Sequence, residues 1–259
     1  MPLRTSQEQF DRQAPQYNAE WNEWNRESLA WLMAHAHCEP SHRLLDVATG
    51  AGFTAVAFAP LVAEVTGLDV SAAMLGKARE RARAAGLANL VFESGAAESL
   101  PFPADTFDRL LCRLAAHHFL SPAKFVAEAY RVLRPGGRLL VADSAEPDNA
   151  PEVDAWHNHV EALRDGSHVR NYTASEWRGF VTGAGFALEA LDEVRESVPI
   201  TLRAWLEKGG CGGEAAVEVR RLFLEAPAEA VRTFAITPMP DGDIRFQWLR
   251  IALAARKPG

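Results

Sequence analysis

The sequence has few cysteines, no long apolar run and no excess of basic residues, and each shortage excludes a class of protein. Its three cysteines, Cys38, Cys112 and Cys211, form no CxxC pair, so neither a disulfide framework nor a cysteine zinc site is predicted, and no metal ligand is assigned. Such sparse cysteine usage favours a reducing cytoplasm. No run of eighteen apolar residues occurs, so no membrane-spanning helix is expected. The first residues lack the apolar segment of a signal peptide.

Acidic residues outnumber basic ones, which gives a formal net charge of −7. A protein that binds nucleic acid normally presents a basic face. The most basic stretch, residues 77–86, carries its charges at helical spacing, which is typical of a solvated helix surface. Nucleic acid is therefore not expected as a partner. The expected partner is a small molecule, and the expected assembly is a monomer or homodimer.

Strand-like and helix-like segments alternate from residue 26 to residue 144 of this 259-residue chain, whose composition is globular. The alternation predicts βαβ units and a parallel, doubly wound α/β sheet. Residues 150–182 and 203–228 are predicted to be helical, and residues 243–257 to form one long closing strand. Ligands bind at the carboxyl ends of the strands in such sheets, so these insertions are expected to cover that edge.

We predict a single domain that spans residues 1–259. The pattern changes after Ser144, and residues 150–182 are rich in Trp, His and Tyr. The predicted parts are N-terminal lid helices at residues 1–39 and a cofactor-binding core at residues 40–146. Two helical insertions are predicted at residues 147–185 and 199–230, and two closing strands at residues 186–198 and 243–257.

A glycine-rich turn, LLDVATGAGFTA at residues 44–55, joins the first strand-like run to a helix. Gly50 and Gly52 begin a G-x-G-x-x-A pattern, the fingerprint of a nucleotide-binding turn. Glycines lack Cβ atoms, which lets a ligand approach the backbone. Asp69 ends the second strand, where an acid accepts hydrogen bonds from ribose hydroxyls. The pattern leaves open a dinucleotide such as NAD, S-adenosylmethionine, and a plain strand-to-helix turn.

Asp46 and a missing motif favour S-adenosylmethionine. Asp46 stands at the end of the first strand, shortly before Gly50. A carboxylate repels a pyrophosphate but attracts the ammonium group of a methionine moiety. No Tyr-x-x-x-Lys pattern for hydride chemistry occurs in the chain. An NAD-dependent oxidoreductase and a non-catalytic, cofactor-binding regulator remain the alternatives.

Five segments are similar to the motifs of one known family. They are the glycine turn LLDVATGAGFTA, the acidic loop VTGLDVSAAML, the segment SLPFPADTFD before strand four, the helix, turn and strand AEAYRVLRPGGRLLVAD, and the lid segment FDRQAPQYNAEW. Together they resemble the class I S-adenosylmethionine-dependent methyltransferases, in the group related to ubiquinone and menaquinone biosynthesis methyltransferases. VEALRDGSHVRNYTASEW further resembles a bacterial subgroup that also carries Ala-His-His-Phe after strand four.

The resemblance implies a Rossmann-like, seven-stranded, mostly parallel sheet with helical insertions forming a lid. It implies S-adenosylmethionine as cofactor and S-adenosylhomocysteine as product. The residues it assigns to the cofactor are Asp46, Ala48, Gly50, Gly52, Asp69, Val70, Met74, Gly95, Ala96, Ala97 and Glu98, with Tyr17 from the lid and Arg113, Ala115 and His118 at the end of strand four. An acid commonly follows the glycine at position 95 in this family, but Ala96 stands there, so backbone groups, Glu98 or packing are expected to hold the adenine.

Two histidines and an acid are the candidate catalytic residues. His117 and His118 follow strand four, and Asp143 ends strand five, which should lie beside it. A histidine held by an aspartate is a suitable general base near neutral pH. We predict that His117 pairs with Asp143 as the base, while His118 packs near the methyl group or the cofactor. The alternatives are that both histidines only cap the following turn, or that alignment alone suffices.

Aromatic residues in the lid and insertions suggest the acceptor. Those considered as pocket walls are Tyr17, Trp21, Trp24, Trp156, Tyr172, Trp177 and Trp205, each of which has helix packing as its alternative role. As a set they favour an apolar or aromatic small molecule. No Asp/Asn-Pro-Pro-Tyr follows strand four, which argues against methylation of a nucleic-acid base.

Overall fold

The structure, a computed structural model, describes residues 4–17 and 23–259. Its strands are β1 (Arg43–Val47), β2 (Glu64–Asp69), β3 (Leu90–Ser94), β4 (Phe107–Arg113), β5 (Leu133–Glu146), β6 (Tyr172–Thr173), β7 (Ala187–Val194), β8 (Ile200–Thr201), β9 (Thr237–Pro238), β10 (Ile244–Phe246) and β11 (Arg250–Arg256). Its helices are α1 (Ser6–Gln13), α2 (Arg26–His35), α3 (Phe53–Phe58), α4 (Ala72–Ala84), α5 (Pro122–Val132), α6 (Pro151–Arg164), α7 (Ala174–Gly183), α8 (Leu202–Lys208), α9 (Gly213–Leu224) and α10 (Ala228–Thr233).

Seven strands follow one another in the main sheet in the order β3-β2-β1-β4-β5-β11-β7, and the two-residue strand β6 joins it beside the end of β5. Neighbours from β3 to β5 are parallel, and β11 runs antiparallel to both β5 and β7. This confirms the predicted seven-stranded, mostly parallel, Rossmann-like sheet. The strand order reverses between β1 and β4, and their carboxyl ends border the crevice in which open α/β sheets bind ligands.

Helices cover both faces of the sheet because its central strands are apolar on both sides. Leu44 and Leu45 are neighbours in β1, and both are fully buried. Leu44 belongs to the cluster that contains Leu32 of α2 and Phe58 of α3, whereas Leu45 belongs to the cluster that contains Phe125 of α5. Successive strand residues point to opposite faces, so a continuous apolar run is typical of a parallel strand that is buried twice.

The two N-terminal helices differ in position, which corrects the prediction that residues 1–39 form lid helices. Helix α1 lies at the carboxyl edge, where Ser71 Oγ donates to Asp11 Oδ1 at 2.6 Å and Gln13 Nε2 donates to the Gly209 carbonyl at 3.2 Å. Helix α2 instead packs on the sheet against β5, β7 and β11. Its Leu32 is fully buried, so burial of this apolar side holds α2 on the sheet face rather than over the cavity.

The predicted closing strand at residues 243–257 is two strands in different sheets. β10 pairs with β8 and β9 in a small antiparallel sheet, whereas β11 pairs with β5 and β7. Between them Trp248 is buried against other rings, with its centroid 4.5 Å from that of Phe246 and 5.0 Å from that of Phe234. Burial of this large ring in the aromatic cluster breaks the strand.

The other closing strand also ends earlier than predicted, at Val194 rather than at residue 198. The chain leaves the sheet because Glu196 binds the first turn of α2. Its carboxylate accepts hydrogen bonds from the backbone N–H groups of Glu27 at 2.9 Å and Ser28 at 3.2 Å. An acid at a helix N-terminus satisfies donors that the helix itself leaves unpaired.

The insertions are helical, as predicted. α6 and α7 lie within residues 147–185, and α8 and α9 within 199–230, while α10 continues to Thr233. Residues of α6 and α8 contribute to the wall of a cavity at the carboxyl edge. Within residues 4–17 and 23–259, no helix has the length and apolar character needed to cross a membrane.

Candidate functional site

A cavity of about 680 Å³ lies at the carboxyl edge of the main sheet. Its walls come from the ends of β4 and β5, from the loops that follow β1, β2, β3 and β4, and from α1, α6 and α8. The volume lies within the range of small-molecule sites. Among the described residues, no group of three or more His, Cys, Asp and Glu side chains is arranged to hold a metal ion.

The two glycines of the turn after β1 have different roles. Gly50 has a φ of +52°, and a Cβ atom placed there would have no neighbour within 4 Å. Gly50 lines the cavity, so this open space is available to a ligand. Gly52 has a φ of +80°, and its Cβ would come within 2.9 Å of the Ala78 Cβ. Among the described residues Gly52 does not line the cavity, and its missing Cβ allows α3 to pack closely on α4. Its contact with the cofactor stays a prediction.

Asp69 ends β2 inside the cavity and holds the glycine turn in place. Its Oδ2 accepts a hydrogen bond from the Gly50 N–H at 2.8 Å, and its Oδ1 accepts one from the Ser71 N–H at 2.9 Å. Burial raises the pKa of Asp69, and the backbone N–H groups of Ser71 and Gly50 oppose that shift. A carboxylate has about four lone-pair sites, so acceptor capacity is left for ribose hydroxyls. The predicted cofactor residues Ala48, Val70 and Met74 also line this region.

Asp46 lies behind the cavity wall, and its place beside an ammonium group stays a prediction. Its side chain is buried, and Thr49 Oγ1 donates a hydrogen bond to its Oδ2 at 2.6 Å. Burial raises the pKa of Asp46 to about 7. Thr49, which the sequence analysis did not select, lines the cavity in its place. Asp46 therefore supports the turn through Thr49.

The loop after β3 borders the cavity on one side. Gly95, Ala96, Ala97 and Glu98 all line it. The Ser121 N–H donates to Glu98 Oε1 at 2.6 Å, so this carboxylate also anchors the start of α5. Ala97 is 8% exposed and belongs to the apolar cluster on that face of the sheet, so a planar ligand would meet both apolar surface and backbone here.

Arg113, Ala115 and Tyr17 meet near the glycine turn and line the cavity. The Arg113 guanidinium donates from Nε to Thr54 Oγ1 and from Nη1 to the Asn25 carbonyl, both at 2.9 Å. Tyr17 packs with its ring centroid 6.5 Å from that of Phe53. Burial raises the pKa of the Tyr17 hydroxyl, so this ring is neutral at physiological pH.

His117 contacts Asp143, as the sequence analysis predicted. The ring Nδ1 lies 2.6 Å from Asp143 Oδ1, and the His117 backbone N–H donates to Asp143 Oδ2 at 2.9 Å. Asp143 is fully buried and lies behind the cavity wall, whereas His117 lines it with 17% of its side chain exposed. Burial lowers the pKa of His117, but the charge of Asp143 and its hydrogen bond outweigh burial and raise that pKa overall.

His118 also lines the cavity, but its partners and its pKa differ from those of His117. Its Nδ1 lies 3.0 Å from Ser167 Oγ, and Ser167 Oγ donates to Asp165 Oδ1 at 2.7 Å. Its ring meets Phe10 of α1 edge-on, with centroids 5.0 Å apart. Burial, aided by the charge of His117, lowers the pKa of His118 to about 4. His118 is therefore a neutral ring between α1 and the end of β4.

The aromatic residues considered from the sequence divide into two groups. Tyr17 and Trp205 line the cavity. Trp24, Trp156, Tyr172 and Trp177 pack in or against the apolar core, and none of these four described residues lines it. Trp21 lies outside the described residues. Helix packing is thus the role of most of the set.

The cavity wall also contains five residues that were not predicted from the sequence. They are Glu161 and Arg164 of α6, Ser144 at the end of β5, Trp248, and Arg250 at the start of β11. Arg250 is 6% exposed, and its Nη1 donates to Ser144 Oγ at 2.6 Å. No local motif marks these positions. The only sequence signal was the concentration of Trp, His and Tyr in residues 150–182, which include α6.

The sequence and fold of this chain are similar to those of known proteins. A methyltransferase-domain family matches residues 45–141. YcgJ of Bacillus subtilis (strain 168), an uncharacterised methyltransferase, is 37% identical over 92% of this chain and 93% of its own length. Its crystal structure superposes with a TM-score of 0.85 and covers 90% of this chain and 99% of that one. The chain belongs to the class I S-adenosylmethionine-dependent methyltransferases.

Two other relatives agree. A solved structure from Bacillus halodurans C-125 is 36% identical, with a TM-score of 0.84 over 89% of this chain and 99% of that one. The demethylmenaquinone methyltransferase of Symbiobacterium thermophilum is 35% identical over 54% of this chain and 59% of its own length. Family membership selects S-adenosylmethionine over NAD as the cofactor, and an enzyme over a non-catalytic regulator.

Proposed function

We propose that this methyltransferase acts on a small aromatic acceptor beside His117, and that His117 is the general base. The observation that carries the proposal is the 2.6 Å contact between His117 Nδ1 and Asp143 Oδ1 at the cavity wall. This contact occupies Nδ1, which leaves Nε2 to take a proton from a bound acceptor.

The reaction is an in-line displacement. S-adenosylmethionine supplies a methyl group on a positively charged sulfur. The acceptor atom forms a bond to the methyl carbon while the carbon–sulfur bond breaks and its electron pair goes to sulfur. The acceptor's proton passes to His117 Nε2, and Asp143 stabilises the imidazolium that results. Alignment of the reacting atoms in the cavity supplies much of the rate.

We assign the cofactor to the part of the cavity beside the glycine turn. Two features of that region fit S-adenosylmethionine: the open space next to Gly50 and the remaining acceptor sites of the Asp69 carboxylate. In this assignment Asp69 binds the ribose hydroxyls, Thr49 and Gly50 border the methionine end, and Met74 packs against the adenine.

The walls of the cavity outside the proposed cofactor region support an aromatic acceptor. Trp205 is 3% and Trp248 4% exposed, and both line the cavity. Flat indole surfaces favour planar ligands, which they contact by offset or edge-to-face packing.

The test requires an acceptor, which a screen of bacterial metabolite extracts with a radiolabelled methyl donor can supply. We expect His117→Ala to lower turnover about 10²-fold or more, the usual contribution of a general base. His159→Ala, at an exposed histidine of α6, is the control. Unchanged turnover at saturating substrates, with chemistry rate-limiting, would show that the enzyme works by alignment alone.

We further propose that residues 1–259 form one domain, that the enzyme is a cytoplasmic monomer or homodimer, and that it does not act on nucleic acid. The net charge of −7 supports the last point. Limited proteolysis tests the single domain, and cell fractionation tests the location. Light scattering tests the oligomeric state, and a filter-binding assay with duplex DNA and RNA tests the absence of nucleic-acid binding.

A further inference from the structure

Glu161 is a buried carboxylate in the wall of the cavity. Its side chain is 8% exposed, and it lines the cavity. Among the described residues its one ionic partner is His157, whose Nε2 lies 3.5 Å away, too far for a strong hydrogen bond. The neighbouring Asp165 differs, because its Oδ1 accepts hydrogen bonds from the N–H and the Oγ of Ser167 at 2.9 and 2.7 Å.

A second carboxylate lies on the other side of His157. His157 is fully buried, and its Nδ1 is 2.7 Å from Glu146 Oε1. Its Nε2 makes no hydrogen bond within the described chain. Burial lowers the pKa of His157, but the two carboxylates outweigh burial and raise it to about 9. The imidazolium in turn holds the pKa of Glu161 well below its usual range, against the upward effect of burial, so Glu161 is ionised at neutral pH.

The two arginines of this wall make contacts within the protein, although Arg250 Nε is buried without a hydrogen bond among the described residues. Arg250 donates from Nη1 to Ser144 Oγ at 2.6 Å and from Nη2 to Asn25 Oδ1 at 2.8 Å. Arg164 lies over the Trp205 ring, 4.8 Å from its centroid, and donates to the Trp205 carbonyl at 3.4 Å. Glu161, unlike Asp165, accepts no short hydrogen bond from the described residues, so its oxygens are available to a ligand.

We infer that Glu161 binds the methyl acceptor through a hydrogen-bond donor, so that the acceptor is an aromatic ring that carries a hydroxyl or amino group. The inference rests on the proposed function. A buried ionised carboxylate without a strong hydrogen bond is costly, and a ligand N–H or O–H in this position offsets that cost. The charge of Glu161 also acts on His117, so the donor is held in the same part of the cavity as the base. His157 and Glu146 are positioning residues that keep Glu161 charged and oriented.

The experiment measures binding of matched rings to the complex with S-adenosylhomocysteine by calorimetry. The probes are phenol and aniline, methoxybenzene as a ring without a donor, and benzoate as an anion. We expect the wild-type protein to bind phenol or aniline at least about tenfold more tightly than methoxybenzene, since a hydrogen bond to a charged group has that effect. Glu161→Gln should remove this difference and leave methoxybenzene affinity within about twofold.

Controls separate a local effect from misfolding. Glu152→Gln removes an exposed acid from the same helix and should leave all affinities unchanged. His157→Gln should weaken phenol binding less than Glu161→Gln does. The melting temperature and the affinity for S-adenosylhomocysteine report whether each variant is folded, and the ring comparison in the wild-type protein needs no variant at all.

Two results would overturn the inference. One is equal binding of phenol, aniline and methoxybenzene by the wild-type protein. The other is tighter binding of benzoate than of phenol, which would assign recognition to Arg250 and Arg164. The proposal that His117 is the base is tested separately. If His117→Ala keeps full turnover, that proposal is wrong, but the ring preference attributed to Glu161 is unaffected.

Discussion

Asp69 is the residue at which the turn after β1, the start of α4 and the cavity meet. Both of its oxygens already accept backbone hydrogen bonds, from Gly50 and from Ser71. These bonds aim the carboxylate into the cavity, and its unused lone pairs are the sites assigned to the ribose.

Asp69→Ala is expected to weaken S-adenosylhomocysteine binding by about 1.5–3 kcal/mol, the usual range for a hydrogen bond to a charged group. Calorimetric titration measures the change, and Glu93→Ala, at an exposed acid near the end of β3, is the control. Unchanged affinity in a folded Asp69→Ala protein would mean that the ribose lies elsewhere.

The two glycines of the turn provide a matched pair of variants. Gly50→Ala adds a methyl group toward open cavity at a φ of +52°, so we expect lost cofactor affinity, together with about 1–2 kcal/mol of backbone strain. Gly52→Ala forces its methyl group to 2.9 Å from the Ala78 Cβ, so the main loss should be in stability. Titration and thermal unfolding of both variants distinguish these effects; an equal loss of cofactor affinity in both would contradict the separate roles.

At the scale of elements, the base is assembled from the ends of two parallel strands. Arg113 of β4 pairs with Ala142 of β5, so the residues that follow them lie side by side. The turn after β4 folds back so that both the ring and the backbone N–H of His117 bind Asp143.

This pairing predicts the pH dependence of turnover. A base must be neutral to accept a proton, and Asp143 raises the pKa of His117. The methyl-transfer rate should therefore rise with pH, with a midpoint above the ordinary histidine value of about 6.5. Asp143→Asn removes the charge and should move the midpoint to lower pH while it also lowers the maximal rate. Single-turnover rates from pH 5 to pH 9 measure both effects, and a profile in Asp143→Asn identical to that of the wild-type protein would refute the assignment.

At the scale of the molecule, α6 carries a buried charge cluster between the cavity and β5. Glu146 ends β5, and His157 and Glu161 lie one turn apart on α6. The contact between His157 Nδ1 and Glu146 Oε1 therefore joins the insertion to the main sheet. The stability of the fold and the shape of the acceptor end are linked through this cluster.

The cluster predicts a loss of stability at alkaline pH. The pKa of His157 is raised to about 9, so its stabilising contribution is fully present below about 6.5 and is lost as pH rises through about 9. The shift corresponds to up to about 3 kcal/mol in the free energy of unfolding. The difference in melting temperature between the wild-type protein and His157→Gln should shrink from pH 6 to pH 10. The exposed His159→Gln should show no such trend, and a constant difference across this range would argue against a charged His157.

Predictions from the sequence succeeded where the determining interactions are short-range or follow from strand order. The positive φ of Gly50, the position of Asp69 at a strand end in the cavity wall and the contact of His117 with Asp143 are of this kind, because they depend on local conformation or on adjacent parallel strands. The motif alone does not show which way a side chain faces, because packing decides that. Gly52 packs on Ala78 of α4, and Asp46 turns to Thr49, although both belong to the same motif as Gly50.

From the sequence alone, the main sheet follows from apolar strands that alternate with helices, and the enzyme class and cofactor follow from five segments that resemble one family, because such motifs carry their structural requirements in a few consecutive residues. Only the tertiary structure decided the acceptor end of the cavity. Glu161, Trp248 and Arg250 come from a helix, a break between strands and a strand that are far apart in the chain. What brings them together is the burial of α6 and its aromatic cluster against the sheet, a cooperative packing of many side chains that no single segment encodes.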